Sequence, residues 1–104
     1  MELIINNENG KTIIDSKVFE SIAEVSALKV KGIYPTKKND FASCKINNDD
    51  VVLTLNVKLE QNIDVVGTCG KVQEVISEDI AEMCGVECKA INIDIQGFVK
   101  EEKK

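Results

Sequence analysis

The chain has 104 residues, 43% hydrophobic and 30% charged, with a net charge of −5, four cysteines, four aromatic residues and no histidine. Its length predicts one domain, residues 1–104, with an aliphatic core. The acidity argues against duplex nucleic acid and anionic lipid as partners, because both draw on Lys and Arg, and the missing histidine removes the commonest general base and zinc ligand together.

The opening residues MELIINNENG lack a basic stretch followed by an apolar one, so they do not read as a secretory signal. They predict a hairpin instead. Glu2 to Ile5 is a short apolar run, Asn6, Asn7, Asn9 and Gly10 are turn formers, and Lys11 to Ile14 is a second run. Asp15 or Ser16 then caps a predicted helix over Lys17 to Lys29, with Val18, Phe19, Ile22, Val25 and Ser26 on its core face and Ala23 at the edge. Leu28 falls off that face. Gly32 ends the connection, Ile33-Tyr34 starts a strand, and Pro35 marks an edge or a turn.

Thr36 to Asp40 is a predicted loop, and Phe41 to Ile46 alternates as a strand. Asn47 to Asp50 is a turn by composition. The clearest strand follows. Val51, Leu53, Leu55, Val57 and Leu59 face one way; Thr54, Asn56 and Lys58 face the other. One wet and one buried face is the antiparallel pattern.

A long amphipathic helix is predicted over Asn62 to Gly85. Val65, Cys69, Val72, Ile76, Ile80 and Met83 share its inner face, while Asp64, Lys71, Glu74, Glu78 and Glu82 lie opposite. Asn62 is the expected N-cap, Asp64 a first-turn acid, and Gly85 the left-handed stop. Lys89 to Phe98 alternates again, with Ile91, Ile93 and Ile95 inward and Asn92, Asp94 and Gln96 outward. The charged residues from Val99 onward, 100–104 above all, are expected to fray. The pattern predicts an α+β two-layer sandwich. It has a mixed, mostly antiparallel sheet with two helices on one face, in the order β-α-β-β-β-α-β.

In their order and spacing these pieces resemble the alkaline shock protein family of Gram-positive bacteria, also described as envelope stress response proteins. The resemblance rests on Gly10-Lys11, Val18, Ile22 and Ala23, then Val30-Lys31-Gly32-Ile33 and Asn62-Ile63. It continues through Val72-Gln73, Ile80, Met83 and Gly85 to Ile91-Asn92-Ile93. Cys84, where the family favours threonine, and Glu60-Gln61, where it favours tyrosine–glycine, depart from it, as do Gly67 and Gly70 within the helix. The resemblance implies a cytoplasmic protein that is not an enzyme and needs no cofactor. Such a protein self-associates and sits near the membrane through an anchored protein partner. It also implies the alternative of an accessory subunit for a lipid-metabolism enzyme.

Candidate site residues follow from the residues themselves. Glu74, Glu78 and Glu82 stack like charges at i, i+4 spacing, which weakens a helix and suits either a solvated face or docking of a basic partner. Gly67 and Gly70 each cost the helix about 1 kcal/mol relative to alanine. Either a second subunit approaches there or the helix bends. Gln73 is expected to tie the helix to a neighbouring loop or strand. Cys44, Cys69, Cys84 and Cys88 read as small buried thiols, with Cys84 and Cys88 as the candidate redox pair. No set of metal ligands is visible without histidine, and no apolar run reaches the ~20 residues of a membrane span. Oligonucleotide binding ranks last, given few aromatics and excess acid.

Overall fold

The computed structural model describes residues 2–36 and 41–100. In chain order they form β1 (Glu2–Asn7), β2 (Gly10–Asp15), α1 (Ser16–Leu28), β3 (Ile33–Pro35), β4 (Ala42–Asn47), β5 (Asp50–Glu60), α2 (Val65–Cys84) and β6 (Ala90–Val99). The fold is the expected α+β one. The predicted hairpin is present as β1 and β2, an antiparallel pair that forms a sheet of its own.

β5 is the strand that the rest of the sheet uses. β6 runs parallel along one of its edges. β4 and β3 share the other edge, end to end and antiparallel: Ala42 to Asn47 pair with Asp50 to Leu55, and Ile33 to Pro35 with Val57 to Leu59. Asn56 falls in the gap between them. Its N–H donates to the Phe41 carbonyl at 2.8 Å, and its own carbonyl accepts from the Thr36 hydroxyl at 2.9 Å. The interruption therefore leaves no main-chain group of Asn56 without a partner. Pro35 sits at the end of an edge strand, where its missing donor costs nothing. Of the predicted loop Thr36 to Asp40, residues 37–40 lie outside the described residues.

The alternation of β5 works as expected. Val51, Leu53, Leu55, Val57 and Leu59 are fully buried beneath the helices, joined by Val72, Ile76 and Ile80 of α2. α1 departs from expectation. Its buried stripe is Phe19, Ala23, Ser26 and Ala27, while Val18 and Val25 of the predicted face are exposed and Ile22 is half-buried. The small side chains at Ala23 and Ala27 let α1 lie close to both β4 and α2, and that contact rotates the stripe away from Val18 and Val25. Leu28 is outside, as predicted.

Two details of α2 also differ. Asp64, not Asn62, is the N-cap; its carboxylate accepts from the Gly67 N–H at 3.2 Å. Asn62 instead takes a left-handed conformation, φ 65°, in the turn out of β5. Met83, predicted inward, is exposed: it stands at the groove between the two helices, alongside Ile22 and Val25 of α1. Gly85 ends the helix at φ 67°, the left-handed geometry that its lack of a Cβ allows. Asp15 caps α1 through the Lys17 N–H at 3.0 Å. β6 extends through Val99, which pairs with Glu60, so fraying does not begin there; residues 101–104 lie outside the described residues.

Candidate interaction surface

The two helices run antiparallel: Ser26 meets Asp79, and Ile22 lines the same groove as Met83. Asp79 is the polar clasp between them. The buried Ser26 hydroxyl donates to its Oδ2 at 2.5 Å, and the Lys29 ammonium donates to the same oxygen at 3.1 Å. The Ser26 bond first, then the Lys29 bond, hold the Asp79 carboxyl below its ordinary value. Periodicity placed Ser26 on the core face of α1, but it could not show that Asp79 of α2 stands opposite it.

Beside the clasp the helix layer exposes apolar side chains. Val25, Leu28 and Met83 are 63%, 50% and 69% exposed. A groove of about 210 Å³ opens between the helices, lined by Ile22, Val25 and Met83 with Asp79 and Lys29 beside them. The sequence hid this surface, because Val25 and Met83 kept the spacing of core residues.

The predicted docking residues of α2 all face solvent. Glu74, Glu78 and Glu82 stand on the outer side, with Gly67 and Gly70 exposed beside them. The structure separates the two glycines. A Cβ on Gly67 would run into the Asp64 carboxylate that caps the helix, so this glycine serves the cap. A Cβ on Gly70 would meet open space. Gln73 does what was expected of it, donating from Nε2 to the Ile91 carbonyl of β6 at 2.9 Å.

The four cysteines are free. Burial is the main cause that pushes the Cys44 thiol up to about 11, with the Glu20 carboxylate and Cys88 adding to it. Glu20 stands close by, accepting from the Cys44 main-chain N–H at 3.1 Å. Burial also raises Cys69, Cys84 and Cys88, and Cys84 raises Cys88 further. Cys84 and Cys88, the candidate redox pair, are thus neighbours in a half-buried setting that keeps both protonated at neutral pH. Thiols in that state are poor nucleophiles. Among the described residues, no group of three or more Cys, Asp or Glu is arranged to hold a metal ion.

Compared with protein-family models, curated proteins and solved structures, the chain finds no match. Its own geometry carries the functional argument.

β6 holds a feature that alternation missed. The ladder pairs Val57 with Ile95 but Lys58 with Gly97, so Gln96 is an extra residue, a bulge. Paired residues share a face, and Phe98 pairs with the fully buried Leu59. Phe98 therefore joins Ile91, Ile93 and Ile95 on the helix side of the sheet, although strict alternation would turn it away. The row is incompletely covered: the three isoleucines are half-buried and Phe98 is 55% exposed. No helix among the described residues is long and apolar enough to cross a membrane.

Proposed function

We propose that this protein is a non-enzymatic interaction module, similar in role to envelope stress response proteins, that acts by self-association and by docking to a membrane-anchored protein. The observation that carries the reading is the exposed apolar surface. Val25, Leu28 and Met83 on the helix layer and Phe98 on the sheet are each at least half exposed, beyond the scattered single residues that an inert surface carries. The acidic stripe of Glu74, Glu78 and Glu82 supplies a charged rim beside them and suits a basic partner segment. The raised thiols speak against the competing reading of a redox protein.

The test is affinity capture with the full chain from membrane and soluble fractions of the native cell. Enrichment of one membrane-anchored protein, lost when Glu78 and Glu82 are both changed to Lys, is the expected result. Capture of a soluble lipid-metabolism enzyme would favour an accessory-subunit role. Undiminished capture by the charge-reversed variant would remove the acidic face from the reading.

A further inference from the structure

We infer that the free edge of β6 is the self-association surface, and that two copies join there as antiparallel β6 strands about a two-fold axis at Ile93. The inference deepens the self-association reading above and rests on it. Its first support is the edge itself. β6 pairs only with β5 among the described strands, so one side of a ten-residue strand offers main-chain donors and acceptors to another strand. The second support is the half-covered row of Ile91, Ile93, Ile95 and Phe98, which needs a partner strand that is apolar on the same side. β6 is such a strand.

Charge selects the arrangement. A parallel, in-register pairing would set Asp94 against Asp94 of the second copy. The antiparallel pairing about Ile93 sets Asn92 against Asp94, Ile91 against Ile95, and Ile93 against itself. It also brings Lys100 at one end of the strand towards Glu87 before the other. The central pairs, from Ile91 to Ile95, are then apolar or amide to carboxylate, as stable cross-strand neighbours are.

The helix above the edge is shaped for the same approach. Gln73 reaches β6, which identifies the flank of α2 on that side, and the residues at helical spacing along it are Val66, Gly70, Gln73, Ser77 and Ala81. None is charged, and Gly70 has open space beside it.

The experiment uses two variants of an exposed residue on the polar face, Asn92→Asp and Asn92→Lys, with the full chain in sedimentation equilibrium and far-UV circular dichroism to verify the fold. The expected result is a wild-type dimer. Asn92→Asp, which opposes two carboxylates twice per dimer, weakens it by roughly two- to thirtyfold, and Asn92→Lys tightens it by a similar factor. A wild-type monomer at all accessible concentrations overturns this inference and the self-association part of the function, while capture of a membrane partner still tests the rest. A dimer indifferent to both Asn92 variants but dissociated by Val25→Glu leaves self-association standing and overturns the β6 interface in favour of the helix groove.

Discussion

Asp79 joins the two helices with one carboxylate, and its protonation has a direct consequence for stability. Its folded value is depressed, chiefly by the buried Ser26 hydroxyl and then by Lys29, while the unfolded chain keeps the ordinary one. Its contribution is therefore present above the ordinary carboxylate value. It is lost as pH falls through that value and then through the folded one. Urea unfolding of the wild type should show a falling midpoint over about pH 5 to 2, and Asp79→Asn should flatten that fall. Asp79→Ala leaves Ser26 buried without an acceptor and should cost about 1–3 kcal/mol at neutral pH. The two helix glycines separate in the same assay. Gly70→Ala fills open space and should raise monomer stability by about 1 kcal/mol. Gly67→Ala gains the same propensity but displaces the Asp64 cap, worth about 1 kcal/mol, so it should show no gain. An equal gain from both would refute the role assigned to Asp64.

At the scale of elements, α1 gives the sharpest contrast. Val25→Lys should change stability by no more than about 0.5 kcal/mol, whereas Phe19→Ala should cost about 3–5 kcal/mol. A large loss from Val25→Lys in thermal unfolding would restore the face that periodicity implied. That periodicity found both helices, though the predicted order β-α-β-β-β-α-β has one strand fewer than the structure, whose opening hairpin supplies two. It also misplaced this face, and the reason is physical. Helical spacing shows that a stripe exists, but its centre depends on which neighbours it packs against. Ala23 and Ala27 win because a close helix–sheet contact favours small residues, and hydrophobicity alone does not rank them above valine. β5 was legible in full, since a strand offers only two faces and its five inward aliphatic residues alternate without exception. β6 was legible only up to Ile95. A bulge adds one residue with no signature beyond the nearby Gly97, and it reverses the side on which Phe98 falls. The acidic stripe and Gln73 could be read directly from spacing. The apolar patch of Val25, Leu28 and Met83 and the Ser26–Asp79 clasp required knowing how the helices sit together.

For the whole molecule, the cysteines report on cooperative opening. Cys44 is buried on β4, and its thiol is pushed up to about 11. Its modification by a disulfide reagent at mildly alkaline pH should follow the rate of unfolding of the domain. Cys69, Cys84 and Cys88 are half-buried and should react earlier. Rapid labelling of Cys44 in the folded protein, read by mass spectrometry of peptides, would contradict the packing described for β4.

The sharing of β5 by three strands bears on how the chain finds its fold. β4 and β5 are joined by a turn of only two residues, Asn48 and Asp49, so their contacts are local and cheap in loop entropy. The partners of β5 on its other edge lie far along the chain: Val52 pairs with Ala90, 38 residues away, across the whole of α2. Closing so long a loop comes late when local pairs can form first. Leu53→Ala and Ile46→Val should therefore slow refolding, while Ile93→Val should leave the refolding rate almost unchanged and speed unfolding. A late β6 means that every molecule passes through a state in which both edges of that strand are open. Whether it then closes on its own β5 or meets a second chain becomes a matter of concentration during folding.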